Sequence, residues 1–300
     1  METLHLFAPA KVNLVLEVLG QRPDGYHEIA SVFAPLDFGD AVTLTLLEEP
    51  VVRLHVRGYA VPAGEENLAV RAALLLGDRF GRKGGVRIDL EKRIPVEAGL
   101  GGGSSDAAAV LRGLNLLWGL GIPPEELAAL GAEVGSDVPY FLWDGFAWVG
   151  GRGERVEPFL PFGESPYRLL LVKPRASLAT RDVFRHFRSR GGRYSDGGRA
   201  RKLREALSAG DWEALPELAA NDLEEAAKSL LPEIAEVRKR LEELGAHAAF
   251  LTGSGPTCVG LFRRGEELSR AREVLVREFP FVQEAAMVGR SLAGNTSLRK

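Results

Sequence analysis

Four of the five residues Gly99–Gly103 are glycine, and the run sits between two segments of different periodicity. Upstream, Val86–Leu90 reads as a strand. Downstream, Val110, Leu111, Leu114, Leu117 and Trp118 recur at the spacing of a helix's buried face. Strand, glycine-rich turn and helix start, in that order, aim backbone N–H groups at an anion. Glycine tolerates φ > 0 and has no Cβ to hold a phosphate away. The helix N-terminus adds unpaired N–H groups and about half a positive charge. A flexible turn with a serine cap would explain a lone Gly-Gly pair, but four glycines in five positions carry an entropic cost that an ordinary turn does not need. The candidate cradle is therefore Pro95-Val96-Glu97-Ala98-Gly99-Leu100-Gly101-Gly102-Gly103-Ser104-Ser105. Asp106 stands against it, since an acid in the first helical turn repels a phosphate unless its carboxylate points away.

Several anion-binding motifs are excluded. No Gly-Lys pair occurs, so there is no P-loop, and no G-x-G-x-x-G supports a dinucleotide or protein-kinase loop. No G-x-S-x-G elbow is present, and His27-Glu28-Ile29-Ala30-Ser31 lacks a zincin's second histidine. The net charge of −3 argues against a dedicated nucleic-acid or acidic-membrane binder. Residues 175–204 do hold ten Lys/Arg against two Asp/Glu, which invites an RNA-binding reading. Residues 205–243 offset them with eleven acids against four bases, so the basic stretch reads as a solvated loop and helix face. A single cysteine, Cys258, can form neither an internal disulfide nor a Cys-rich metal site. Glu2 stands where a signal peptide carries bases, and no apolar run approaches a spanning length; a cytoplasmic protein is expected.

Val12, Leu14, Leu16 and Val18 alternate with Lys11, Asn13, Val15 and Glu17, the pattern of a half-buried strand. Arg22–His27 has turn chemistry. Strands are expected at 31–36, 41–47 and 51–56, and a helix over 66–79. Periodicity lapses across the prolines of 158–166, which divides the chain into an N-terminal domain, 1–160, and a C-terminal domain, 161–300. The second half reads strand (168–172), helices (one near 232–244), strands (248–251 and 257–262), helix (266–278), strand (281–286). That order predicts an α+β sandwich of ferredoxin-like type. The polar tail 289–300 is expected to fray.

The loop 95–105 resembles the phosphate-binding motif of the GHMP kinases, the galactokinase, homoserine, mevalonate and phosphomevalonate kinase group. Pro9-Ala10-Lys11-Val12-Asn13-Leu14 resembles the family's N-terminal motif, and Leu251-Thr252-Gly253-Ser254-Gly255-Pro256-Thr257 its C-terminal glycine motif. Arg22-Pro23-Asp24-Gly25-Tyr26-His27-Glu28 and Gly135-Ser136-Asp137-Val138-Pro139-Tyr140-Phe141 are similar to members that act on a cytidine diphosphate derivative of methylerythritol in the non-mevalonate isoprenoid pathway. The resemblance implies a two-domain α+β fold, with an N-terminal domain like ribosomal protein S5 domain 2 and a ferredoxin-like C-terminal domain. It also implies phosphorylation of the substrate's 2-hydroxyl with ATP as donor and Mg²⁺ as cofactor. A small molecule is then the partner, with no nucleic acid or membrane, and the chain is a monomer or weak homodimer.

Site residues follow from the same resemblance. Lys11 and Asn13, two apart on a strand, share a face; by default that face is solvated, but the family places the lysine at the reacting hydroxyl and the asparagine on substrate. Asp137 would by default cap a helix, and by resemblance it is the catalytic acceptor of the hydroxyl proton. Tyr26 and His27 match cytidine-binding positions, with Phe184 across the base and Thr180 nearby. Asn67 and Lys92 match the adenosine side. Ser105 or Ser104 is the candidate contact to phosphate or Mg²⁺. A homoserine or mevalonate-type kinase is the alternative, against which the Asp24–His27 turn speaks, since neither substrate calls for a base-stacking aromatic.

Overall fold

The computed structural model describes residues 2–81, 84–143 and 145–289, and the backbone of 297–299. The first half of the chain forms β1 (Thr3–Gln21), β2 (His27–Leu47), β3 (Val52–Gly58), α1 (Leu68–Arg79), β4 (Gly85–Lys92), α2 (Gly102–Leu117), α3 (Pro124–Val134), α4 (Val138–Leu142), β5 (Phe146–Gly150) and β6 (Arg155–Phe159). The second forms β7 (Arg168–Lys173), α5 (Thr180–Ser189), α6 (Gly198–Ser208), α7 (Ala214–Leu218), β8 (Ala220–Asn221), α8 (Glu224–Leu230), α9 (Glu233–Glu243), β9 (Ala248–Leu251), β10 (Cys258–Phe262), α10 (Gly265–Glu278), β11 (Phe281–Ala286) and β12 (Ser297–Arg299).

One sheet runs β12-β1-β2-β4-β3, with β5 joined to β2 and β6, and β8 to β1. The other is four-stranded and antiparallel, ordered β11-β7-β10-β9. Numbered within that unit, the order is 4-1-3-2 with a helix in each crossover, the ferredoxin-like arrangement expected for the second half. Alternate residues of its strands serve two cores. Leu170, Val172, Cys258 and Phe262 pack with Val237, Leu241, Leu268 and Leu275 of α9 and α10. Leu169, Leu171, Val259 and Leu261 pack with Val12, Leu14 and Val32 of the first sheet. The two halves therefore share a core.

The long strand β1 departs from the expected half-buried form, being buried on both faces. Leu4, Leu6 and Ala8 enter the core beneath α1 and α2; Ala10, Val12, Leu14 and Val15 enter the shared core; Leu16 and Val18 enter the third. Each fully buried leucine contributes roughly 1.5–3 kcal/mol. Register shifts between Pro9 and Lys11, Asn13 and Val15, and Val18 and Gly20 bend the strand along this path. Its polar face is buried because every member has a partner. Glu17, for example, accepts the Ala200 N–H of α6 at 2.8 Å.

The basic stretch forms the largely exposed faces of α5 and α6 and the loop between them, as expected. The segment between them is tied down by Gly192 N–H to the Phe187 carbonyl (2.9 Å) and Ser195 N–H to the Val18 carbonyl (2.8 Å). Of the tail expected to fray, residues 290–296 and 300 lie outside the described residues, whereas Ser297–Arg299 pairs antiparallel with Thr3–His5. Among the described residues, no helix is long and apolar enough to cross a membrane.

Candidate active site

A cleft of about 950 Å³ opens where β1, β2, the loop before α2 and the N-terminus of α5 meet. The glycine loop forms one wall. The helix begins at Gly102, inside the glycine run rather than at Ser104, and its cap position is Gly101 in the left-handed conformation (φ 73°) with no side-chain cap bond. The first-turn N–H groups of α2 are thus left without a cap from the protein. Glu97 also has positive φ (50°), uncommon for a side-chain-bearing residue, and it faces the cleft.

Behind this loop lies a buried ion cluster. Lys92 Nζ contacts Asp40 Oδ2 and lies 3.0 Å from Asp106 Oδ2. Asp40 Oδ1 accepts the N–H groups of Arg93 (2.6 Å) and Ile94 (2.8 Å), pinning the chain as it leaves β4. Burial, with Asp40 adding to it, pushes the Asp106 carboxyl up to about 8 against the pull of Lys92. Burial also lowers Lys92, but the two acids outweigh it and its ammonium form is favoured overall. Asp106 is accordingly turned toward Lys92 and neutralised, which removes the objection that it would repel a phosphate.

Across the cleft, Lys11 Nζ donates to Asn13 Oδ1 at 2.6 Å, lies 3.5 Å from Asp137 Oδ2, and stands 4.2 Å from the centre of the Phe33 ring. The Lys11 N–H donates to the Leu100 carbonyl at 3.0 Å, so strand and glycine loop are joined at this residue. Burial lowers the Lys11 pKa, and Asp137 opposes the shift. Asn13 is oriented by its Nδ2 donating to Ser31 Oγ (3.0 Å), and its N–H donates to Thr252 Oγ1 (2.9 Å). Asp137 occupies the cap position of α4 but makes no capping bond. Its side chain, 31% exposed, goes to Lys11 instead.

At the other end, Tyr26 is exposed, with the Arg152 guanidinium 5.1 Å from its ring centre. His27 is buried, its Nε2 has no partner, and burial followed by the nearby Arg188 lowers its pKa. Thr180 Oγ1 and Ser254 Oγ are 2.8 Å apart, linking α5 to the C-terminal glycine loop.

This architecture has counterparts. The GHMP kinases N terminal domain model matches residues 67–145, and the GHMP kinases C terminal model matches 203–280. Relatives extend the match over most of the chain. The sequence is 40% identical over 265 residues to a 4-diphosphocytidyl-2-C-methyl-D-erythritol kinase of Bacillus cytotoxicus, covering 88% of this chain and 89% of that one. The chain belongs to the GHMP kinase family. A Geobacillus species has a kinase of the same name that is 41% identical over 263 residues, with the same 88% and 89% coverage. Among solved structures, a 4-(cytidine 5'-diphospho)-2C-methyl-D-erythritol kinase is similar at 38% identity and a TM-score of 0.75, over 95% of this chain and 100% of that one. A homoserine kinase from Cytophaga hutchinsonii, at 20% identity and a TM-score of 0.75 over 99% of this chain and 97% of that one, shares the fold. This GHMP kinase is an ATP-dependent small-molecule kinase.

The cleft of this GHMP kinase brings together Lys11, Asn13, Tyr26, His27, Asn67, Lys92, residues 95–104, Asp137, Thr180 and Phe184. Ser105 is not among them. One helical step beyond Ser104, it turns into the core, fully buried with its Oγ unpartnered. Three of the cleft residues also have partners within the protein. The Lys92 ammonium is engaged by Asp40 and Asp106. Asn67 caps α1, its Oδ1 accepting from Ala69 N–H (2.9 Å) and its Nδ2 donating to the Pro62 carbonyl (3.0 Å). Phe184 stacks on His27 (4.9 Å, 25°).

Sequence reading passed over Asn221, whose Nδ2 donates to the carbonyls of Leu251 (2.8 Å) and Gly253 (2.7 Å) and so holds the C-terminal glycine loop. No local motif marks it. It also passed over Arg152, Arg181, Arg185 and Arg188, which line the cleft.

Proposed function

We propose that this GHMP kinase transfers the γ-phosphoryl group of ATP to the 2-hydroxyl of 4-diphosphocytidyl-2-C-methyl-D-erythritol, giving ADP and the 2-phosphate. The observation that carries the reading is that one cleft holds a lysine–carboxylate pair 3.5 Å apart, a glycine loop with an uncapped helix start, and a buried His27 Nε2 without a partner. The kinases named for this substrate, similar over 88% of the chain, support it.

The glycine loop and the first-turn amides of α2 hold the triphosphate. The acceptor hydroxyl lies between Asp137 and the γ-phosphorus. Its oxygen bonds to phosphorus as the bond from phosphorus to the β-phosphate oxygen breaks, and the hydroxyl proton passes to Asp137. A weak base suffices because the transition state is loose and the proton moves late. Lys11 places positive charge beside the developing charge, in a site dry enough for it to count. The exposed Tyr26 ring offers a stacking face for cytosine, and His27 Nε2 a hydrogen-bonding atom for its polar edge.

Mg²⁺ in such sites is held largely by phosphate oxygens and water, with one or two protein ligands. Among the described residues, no cluster of three acidic, histidine or cysteine side chains is built to hold a metal. Ser104, whose side of the helix faces the cleft, fits a sparse shell of that kind; Ser105 does not. The ion would neutralise charge on the phosphates.

An ADP-release assay with the cytidine diphosphate substrate, homoserine and mevalonate in parallel tests the acceptor. Strong preference for the first is expected. A preference for homoserine or mevalonate would overturn the acceptor while leaving the chain a kinase.

A further inference from the structure

The turn Gly151–Glu154, between β5 and β6, reaches from one end of the cleft to the other. Gly153 (φ +124°) lies against Asp137, and a Cβ there would stand 2.9 Å from Asp137 Oδ1. One residue earlier, the Arg152 guanidinium lies over Tyr26, 5.1 Å from its ring centre. The turn is firmly held. Ile29 N–H donates to the Gly151 carbonyl (2.8 Å), Gly153 N–H to the Gly150 carbonyl (3.1 Å), and Arg152 N–H to Glu154 Oε2 (2.7 Å). The Arg152 side chain therefore springs from a fixed turn beside the proton acceptor and ends at the base end of the cleft.

The other arginines of the cleft are placed differently. Arg185 and Arg181, on α5, both reach Asp182, at 2.8 and 3.9 Å. Arg188 lies toward His27, on which its charge acts. Arg152 forms no ion pair among the described residues, although its charge reaches Asp24. Its stacking on an exposed ring is a weak hold, so the guanidinium can turn to an anion. An acceptor stretched from a cytosine at Tyr26 to a hydroxyl at Asp137 carries its diphosphate across this gap. A planar guanidinium matches phosphate oxygens two at a time.

We infer that Arg152 is a specificity residue that takes the diphosphate joining the nucleoside to the alcohol of the acceptor. This rests on the cytidine diphosphate reading above. It adds a charge requirement to a site otherwise built from an aromatic face and a histidine.

Calorimetric titration with cytidine and with CDP, the ATP site filled by a non-hydrolysable analogue, separates the contribution of the diphosphate from that of the base. The wild-type protein is expected to bind CDP at least about tenfold more tightly than cytidine, in line with a hydrogen bond to a charged group. Arg152→Met should remove most of that preference and leave cytidine within about twofold, and Arg152→Lys should restore part of it. In turnover, Arg152→Met should raise KM for the acceptor about tenfold and KM for ATP by less than twofold. If CDP and cytidine weaken together, or neither weakens, Arg152 merely supports Tyr26 and the inference is wrong. Wild-type protein that binds neither ligand would remove the cytidine reading, and this inference with it.

Discussion

Gly99 and Gly253 bring two glycine loops, 154 positions apart in the chain, into backbone contact. A Cβ on Gly99 would lie 2.3 Å from the Thr252 carbonyl oxygen, and one on Gly253 would lie 2.9 Å from the Gly99 carbonyl oxygen. Both have positive φ, 75° and 57°. The proposed triphosphate cradle from the first half is thereby set on a loop from the second, and Thr252 ties that loop to Asn13. Alanine at either position meets backbone, which cannot swing aside, and adds about 1–2 kcal/mol for the left-handed conformation. Gly99→Ala is expected to lower kcat/KM for ATP by at least about tenfold along with thermal stability. Gly103→Ala, where a Cβ would meet nothing nearer than a leucine methyl at 3.7 Å, should be far milder on stability. Steady-state kinetics and melting curves of the two variants check this.

The Asp40–Lys92–Asp106 cluster should dominate stability near the glycine loop. Removing the ammonium by Lys92→Met leaves two buried acids without their cation, a change that typically costs about 3–5 kcal/mol. Asp106→Asn should cost much less, because a carboxyl raised from 3.8 to about 8 is largely protonated at neutral pH. The sign of the pH dependence follows. Between 3.8 and about 8 the folded state holds the Asp106 proton more tightly than the unfolded state, so this group's contribution to stability falls as pH rises through that window. Urea denaturation from pH 5 to 8 should show a shallower fall in Asp106→Asn than in wild type.

His27 contributes in the opposite sense. Burial and Arg188 lower its pKa below 6.5, so beneath that value the unfolded state binds the proton more readily and stability drops as pH falls. Replacing His27 by Gln should flatten the acid side of the stability profile below about pH 6.5. The same variant should raise KM for the acceptor and leave KM for ATP nearly unchanged. An acid limb identical to wild type would remove His27 from this role.

Much of the site was legible because its parts are local in sequence. The glycine run, the Lys11–Asn13 spacing and the Asp24–His27 turn each carry their chemistry within a few residues. What was not legible depends on segments far apart in the chain. The polar face of β1 looks solvated until α6, nearly two hundred residues later, brings the Ala200 N–H onto Glu17. Asn221 reads as an ordinary polar residue until it meets Leu251 and Gly253. No local motif marks Gly151–Glu154, whose neighbours Asp137 and Tyr26 come from other parts of the chain. Ser104 and Ser105 cannot be told apart by motif; the helical start at Gly102, which turns one to the cleft and the other to the core, decides between them.

With Lys11 in the proposed role, the reaction should have an alkaline limit. Burial lowers its pKa from 10.5, so its charge is lost at a lower pH than that of an ordinary lysine. The kcat–pH profile should therefore fall on the alkaline side with a midpoint below 10.5, and Lys11→Met, slower throughout, should lack that limb.

Asp137 provides the most direct test. Single-turnover phosphoryl transfer and ATP affinity should be measured side by side for wild type and Asp137→Asn, with the cytidine diphosphate substrate as acceptor. A fall in the transfer rate of roughly 10²–10⁴-fold with ATP affinity within about twofold is expected. Transfer at near wild-type rate in Asp137→Asn would contradict the assignment of the proton acceptor and of the Lys11–Asp137 pair as the catalytic centre.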